Sequence, residues 1–397
     1  EAGAVYVIFT IMHCTCFLIA PNATFARISG YAPGEACATR DLIEDLYQSL
    51  HKRNIPLMLY YTGDGPRLDE KAGPAFGCST PVTTEFVQRW ADVVREYGER
   101  YGDKVKGYWT DGCYSFIGYD EEKLGILVDG VKAGNPNRIV ALNPGVDPIV
   151  RAYSKHEDFT CGEQNKFFDM PSERFLDGEQ WHLLSFLSGT SWAAPGTGYS
   201  KKELREYVFD VHQRGGVISI DVALFRDGSI DRSQLELLKA VRKELHEGVA
   251  RPAIPDGNLA YRKQSRLLSL DGSHELEVNG GTQFPRLGVD GNPETTALAG
   301  GEWPWTYEVD LVDVAPVDRV KITFGQGYAT HFEVALSQDR TTWKTVAEKR
   351  DHDGTPFEAR FSPTPARYVR VRALAPDGPN QPGGQMSVAE LEVYGAK

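Results

Sequence analysis

Lys106-Gly107-Tyr108-Trp109-Thr110-Asp111-Gly112 is the stretch that decides the fold. With Val105 ahead of it, the segment reads as a buried strand that delivers a carboxylate and then a glycine at its carboxyl end. In α/β enzymes the chemistry gathers at that end of the strands, so the pattern places Asp111 at the mouth of a barrel or an open sheet. Outward from it the chain alternates. Continuous apolar, β-branched and aromatic runs at 5–10, 55–61 and 138–143 predict strands buried on both faces. Between them, helical periodicity covers 42–50, with Thr39 as its expected N-cap and Asp41 in its first turn, and then 84–101 and 121–133. This is the signature of a parallel sheet with right-handed crossovers.

Residues 144–191 are less regular, with strand candidates at 157–161 and 182–187. Regularity returns with a helix at 201–213, a strand at 217–223 and a helix at 232–247. About seven strands in the first 250 residues predict a (β/α)₈-type barrel with one strand missing. Near residue 250 the pattern changes. Residues 251–275 read as a linker, and 276–397 show only short alternating runs, at 305–311, 317–324, 331–336, 367–373 and 389–394. Such spacing predicts an antiparallel β-sandwich of jelly-roll type.

Composition sets the bounds. A chain of 397 residues exceeds what one core usually supports, so two domains are expected. The net charge of -12 disfavours nucleic acid and anionic membrane as partners. No apolar run approaches about 18 residues, which argues against membrane insertion. The start at Glu1-Ala2-Gly3, with no initiator Met and no basic n-region, is expected of a processed or truncated chain from which any signal peptide is already gone; a secreted or periplasmic protein is expected. The six cysteines, Cys14, Cys16, Cys37, Cys78, Cys113 and Cys161, permit disulfides without prescribing pairs. His13-Cys14-Thr15-Cys16 reads either as a zinc-binding fragment or as thiols packed in a loop. Asn22-Ala23-Thr24 is a glycosylation sequon of a kind common by chance.

Several motifs fall in a recognisable order: the run from Gly3 to Thr10 leading to His13 and Phe17, Arg40-Asp41-Leu42, Leu59-Tyr60-Tyr61, Tyr108-Trp109-Thr110-Asp111-Gly112, and the Gly215-Gly216 strand with Asp227-Gly228. Over about 250 residues this resembles the catalytic barrel of the α-L-fucosidases of glycoside hydrolase family 29. The resemblance implies a retaining exo-glycosidase without a catalytic cofactor, acting on a glycan through a covalent intermediate, with Asp111 as nucleophile. It draws the acid/base from the loop around the sixth strand, which points to Glu163, with Glu173 and Glu179 as runners-up. It also implies substrate contacts from His13, Tyr60, Trp109, Trp181 and His182. The sequence departs from the family pattern at Cys14, where a second histidine is expected, at His182 in place of glutamate, and at Ser219-Ile220-Asp221-Val222-Ala223. A related sugar, or a barrel that binds glycans without cleaving them, is the alternative.

The C-terminal stretch has its own likeness. Asp290-Gly291-Asn292-Pro293-Glu294-Thr295-Thr296, Trp305 to Leu311, Arg367-Tyr368-Val369-Arg370-Val371 and Glu390-Leu391-Glu392-Val393-Tyr394-Gly395 resemble a discoidin-type domain, the fold of family 32 carbohydrate-binding modules. That implies a structural calcium held by Asp290, Asn292, Thr295 and Glu390 with the carbonyls of Leu287 and Ala389. Each functional reading has a plain competitor. Asp-Gly is a common turn pair, Glu163 reads equally as a solvated loop acid, Tyr60 as barrel packing, and the tryptophans as core.

Overall fold

The computed structural model describes residues 2–13, 17–147, 149–171, 173–246, 257–276, 283–301, 303–375 and 382–395. It divides into two compact units: Glu1–Phe167 with Arg174–Arg205 and Gly216–Val249, and Phe168–Glu173 with Glu206–Gly215 and Ala250–Lys397.

The first unit opens with β1 (Val7–Thr10), α1 (Ala23–Ser29), α2 (Leu42–His51), β2 (Leu57–Thr62), α3 (Ala72–Phe76), α4 (Thr84–Tyr101), β3 (Val105–Asp111), α5 (Glu121–Val131) and β4 (Ile139–Leu142). The four strands form one parallel sheet in the order β1-β2-β3-β4. A short hairpin, β5 (Phe175–Leu176) and β6 (Glu179–Gln180), then precedes β7 (His182–Phe186), α6 (Lys201–Gln213), β8 (Val217–Asp221) and α7 (Arg232–His246). β7 and β8 pair in parallel as a separate two-stranded sheet.

Among the described residues the strands of this unit pair in separate sheets and not as the closed eight-stranded barrel expected. Between β4 and β7 lies an irregular segment that reaches β4 through one backbone bond, Asp158 N to Val140 O at 2.8 Å. It meets β6 and β7 through isolated bridges, Phe159 with Gln180 and Glu163 with Leu184. From β8 to β1 the link is a side chain: the Tyr6 hydroxyl donates to Ile218 O at 3.0 Å and meets Ser219 Oγ at 2.8 Å.

Caps and apolar faces explain the helices. The Thr83 hydroxyl accepts from Phe86 N at 3.1 Å and starts α4. That helix buries Phe86, Val87, Trp90, Val93, Val94 and Tyr97 against the sheet. The cap of α2 is Asp41, not Thr39: its carboxylate accepts from Glu44 N and also from the Tyr101 hydroxyl, at 3.0 and 2.8 Å. Asn22 of the sequon is a cap as well. Its Oδ1 accepts from Phe25 N, its Nδ2 donates to Val93 O, and it is 3% exposed, so the side chain offers no amide to a glycan. A small buried cluster of Met58, Trp109, Ala141, Phe159 and Cys161 packs β2, β3 and β4 against the irregular segment.

The second unit is antiparallel and β-rich. β9 (Gln264–Ser269), β10 (Trp305–Phe324), β11 (Phe332–Ser337), β12 (Lys344–Lys349), β13 (Phe357–Ala373) and β14 (Val388–Gly395) run β12-β11-β13-β10-β14, with β9 added on β10. β10 unites the two runs expected at 305–311 and 317–324. Its first half pairs with β9 and its second with β14, and the register breaks between Asp310 and Ala315, where Val312 adopts φ 78°. β9 lies in the stretch read as linker, of which 251–256 are outside the described residues. Alternate residues Trp305, Tyr307 and Val309 point into a core with Ile322, Val334, Val371 and Leu391. Trp303, expected in that core, is 46% exposed. No helix among the described residues is long and apolar enough to cross a membrane.

Candidate active site

Asp111 is the last residue of β3 and is surrounded by donors. Its Oδ1 accepts from Gly112 N at 2.8 Å, the Tyr114 hydroxyl at 3.0 Å and Asn143 Nδ2 at 2.7 Å. Its Oδ2 accepts from the Tyr60 hydroxyl at 2.5 Å. Parallel pairing sets this up, since Tyr60 lies beside Trp109 and Thr62 beside Asp111 in the β2–β3 register. Gly112 is required here: it takes φ +66°, and a Cβ would stand 2.9 Å from Asp64 N. Burial, and then the Asp111 charge, push both tyrosine hydroxyls far above their usual range, so both stay protonated donors.

Glu163 stands opposite. It is held where Leu184 N donates to Gly162 O and Gln164 N donates to Leu184 O, at 3.0 and 2.9 Å. Gly162 allows this approach, because a Cβ there would lie 2.1 Å from His182 O. Glu163 Oε2 accepts from Asn143 Nδ2 at 2.6 Å, so one amide nitrogen touches both acids. Burial raises the Glu163 carboxyl to about 6; the Asn143 hydrogen bond pulls it down and the Asp111 charge pushes it up.

The other predicted residues divide. His13 stacks on the Tyr60 ring at 5.9 Å and 13° and is exposed, which puts it beside the site. Trp109 lies beneath the site: it stacks on Tyr60 at 5.5 Å, donates to Cys161 O at 3.0 Å, and is 2% exposed. Trp181 and His182, read as substrate contacts, are each 2% exposed and leave no surface for a sugar. His182 sets Nδ1 against the carbonyls of Thr160 and Cys161 and Nε2 against Ser219 Oγ, at 2.9, 3.2 and 2.7 Å. Burial lowers its pKa to about 4, so it is a neutral core histidine that donates from Nδ1 and accepts at Nε2. Of the runner-up acids, Glu173 is exposed, and Glu179 faces Glu157 in a pair whose burial raises both carboxyls.

Three site residues were not singled out in the sequence. Asn143 was read only as the end of a strand, Tyr114 not at all, and Asp64 only as part of a glycine-rich loop. Asp64 hydrogen-bonds Thr62 Oγ1 and Arg67 Nε, and its charge acts on Tyr60 and Tyr114. Cys37, Cys78, Cys113 and Cys161 are free thiols. Among the described residues no group of three or more His, Cys, Asp or Glu could hold a metal, while Cys14 and Cys16 lie outside them.

In the second unit Asp290 and Glu390 form another acidic pair. Asp290 Oδ1 accepts from Asn292 N at 2.8 Å, and its Oδ2 accepts from Thr295 Oγ1 at 2.9 Å. Glu390 Oε2 accepts from Gly291 N at 3.0 Å, but its Oε1 is buried with no partner. Burial above all, and the Asp290 charge, raise the Glu390 carboxyl to about 8. An orphaned buried oxygen beside a second carboxylate, with hydroxyl and amide oxygens at hand, fits a hard cation.

Comparison with known proteins fits both units. The family model for alpha-L-fucosidase matches residues 1–247, and that for the NedA-like, galactose-binding domain matches residues 287–371. Among solved structures, a putative alpha-L-fucosidase from Bacteroides thetaiotaomicron is 14% identical over 100% of this chain and 85% of its own, with TM-score 0.48. A Ruminococcus gnavus family 29 fucosidase in complex with fucose is 17% identical over 100% of this chain and 83% of its own, with TM-score 0.41. Chitosan-binding module 1 of a Paenibacillus chitosanase/glucanase is 29% identical over 35% of this chain and 98% of its own, with TM-score 0.30. The search of curated proteins returned no match. With the family model covering well over half of its length, the chain belongs to the alpha-L-fucosidase family and is a glycoside hydrolase that also carries a galactose-binding-like domain.

Proposed function

We propose that this glycosidase removes a terminal α-linked L-fucose, or a closely related sugar, from glycans with retention of configuration. One observation carries the reading. Asn143 Nδ2 is 2.7 Å from Asp111 Oδ1 and 2.6 Å from Glu163 Oε2, so those two oxygens are at most 5.3 Å apart. Retaining enzymes hold their carboxyl groups about 5–5.5 Å apart, whereas inverting enzymes need about 6.5–9.5 Å to admit a water.

Asp111 attacks through Oδ2, which has one hydrogen-bond donor against the three on Oδ1. Its lone pair forms the bond to the anomeric carbon as the glycosidic bond breaks, and Glu163 gives its proton to the departing oxygen. Oδ1 remains as the ester carbonyl under its three donors. Esterification removes the negative charge that had raised Glu163, so the acid becomes a stronger acid and its conjugate base persists. That base then takes a proton from water, and the water oxygen displaces Asp111 Oδ2 from the same face the aglycone left.

The second unit serves this role as a glycan-binding module, in which Asp290, Glu390, Asn292 and Thr295 would hold a calcium ion that fixes the loop. Glycan substrates of this class are met outside the cytoplasm, consistent with a secreted or periplasmic enzyme. The test is hydrolysis of an aryl α-L-fucoside followed by proton NMR. The first-formed sugar should be the α-anomer; a β-anomer would overturn the retaining pair, and no cleavage of any aryl glycoside alongside glycan binding would favour a binding protein.

A further inference from the structure

The amide of Asn143 has a defined orientation. Gly145 N donates to Asn143 Oδ1 at 2.8 Å, and a backbone N–H can only donate, so the atom it meets is the oxygen. The Cys161 thiol lies 3.2 Å from the same oxygen and is its second donor. Nδ2 must therefore face the two acids, and its two hydrogens match the two carboxylate oxygens it touches. The side chain is 0% exposed and satisfied at both ends. Its backbone extends the sheet, with Asn143 N donating to Thr110 O at 2.8 Å, so the amide hangs from the same frame as Asp111.

We infer that Asn143 is a positioning residue that couples the nucleophile to the acid/base: its one amide nitrogen fixes their separation and donates to both. This rests on the assignment of Asp111 and Glu163 to those roles. An amide N–H stabilises the charged form of the carboxylate it meets, and the Asn143 hydrogen bond pulls the Glu163 carboxyl down, so its removal lets that carboxyl rise. Glu163 is faced by Asp111 at the end of β3, by Tyr114 on the following turn and by Cys161 on its own segment, while Tyr60 of β2 faces Asp111 and the Asp64 charge acts on Tyr60 and Tyr114. None of these replaces the lost donor between the two acids. Cys161 acts one step further out, by keeping the amide from turning over.

The test compares the unaltered chain with Asn143→Ala, Asn143→Asp, Cys161→Ala and Cys161→Ser. The pH profile of kcat/KM on an aryl α-L-fucoside is measured, with thermal unfolding as a control for folding. For Asn143→Ala the expected result is a fall in kcat of about 10²-fold, little change in KM, and the basic limb of the profile, set by Glu163, moved to higher pH by about one unit. Asn143→Asp, which removes the donor and adds a charge, should move it further. Cys161→Ala should give a smaller shift that Cys161→Ser restores. A rate loss that follows the folded fraction, with an unmoved basic limb, would overturn the inference. Titration of the Glu163 carboxyl carbon by ¹³C NMR, assigned with Glu163→Gln, reads the coupling without turnover. If the unaltered chain cleaves nothing, the catalytic assignment fails, while a raised Glu163 pKa in Asn143→Ala still upholds the coupling and an unchanged one overturns it.

Discussion

Each unit of this protein holds two carboxylates at close quarters, and the two pairs resolve the conflict differently. Asp111 and Glu163 share a buried amide donor, and four further groups, counting Tyr60, Tyr114, Gly112 and the proton on Glu163 itself, absorb the charge. Asp290 and Glu390 have backbone and hydroxyl donors on three oxygens and nothing on the fourth, Glu390 Oε1. The first pair is complete without a metal and keeps one proton that can move. The second is complete only with a cation or with a proton that has nowhere useful to go. On the proposed reading one pair is catalytic and the other holds a structural ion, and the deciding feature is which donors surround them.

The largest effect expected follows from removing the nucleophile. Asp111→Asn should lower turnover by more than the roughly 10²–10⁴-fold attributable to a general acid, with the fold retained. Activity within tenfold of the unaltered chain would break the comparison at its catalytic end. Glu163→Gln comes next, with a loss of about 10²–10⁴-fold on a poor leaving group that shrinks on an activated aryl glycoside. Because Glu163 must be protonated and its carboxyl lies at about 6, kcat/KM should decline as pH rises through about 6 and lose that limb in Glu163→Gln.

The second pair is read through stability. Calcium at a hundred times its dissociation constant should stabilise by about 2.7 kcal/mol, visible as a higher Tm that a chelator reverses. Asp290→Ala should abolish the response while leaving hydrolysis of a small aryl glycoside unchanged. The smallest effect is the pH dependence without calcium. The Glu390 carboxyl is raised from 4.5 to about 8, so the unfolded state releases its proton first, and stability should fall from about pH 4.5 up to about pH 8 and then level off. Glu390→Gln should flatten that slope; a slope that persists would place the titration elsewhere.

Much of the frame was legible because it rests on local rules. The ranges 84–101, 105–111 and 201–213 match α4, β3 and α6 to the residue, since each is bounded by a cap, a glycine or a change of period. That the strands fall into two separate sheets was not legible, because the Glu163 segment joins its neighbours by isolated bridges and β8 meets the start of β1 through the Tyr6 hydroxyl, and neither leaves an apolar periodicity. β9 was hidden for the opposite reason: Gln264 to Ser269 alternates too weakly to separate from a linker, and its place is fixed by pairing with β10. At the candidate site, motif and order singled out Asp111 and Glu163, which the structure brings onto one amide. They did not single out Asn143, because Leu-Asn-Pro-Gly is also ordinary turn chemistry, and only the fold brings its amide between two acids 20 and 32 residues away. Trp181 and His182 erred the other way: aromatic and histidine side chains suit sugars, but these two serve the core.

The most direct test of the central claim uses azide as a replacement for each carboxylate in turn, with the product anomer read by NMR. Asp111→Gly with an activated α-L-fucoside and azide should regain turnover and yield the β-fucosyl azide, because azide attacks where Asp111 stood. Glu163→Ala should yield the α-fucosyl azide, formed by azide on the covalent intermediate. The same anomer from both variants, or rescue of neither while the unaltered chain turns over, would contradict the assignment of Asp111 and Glu163.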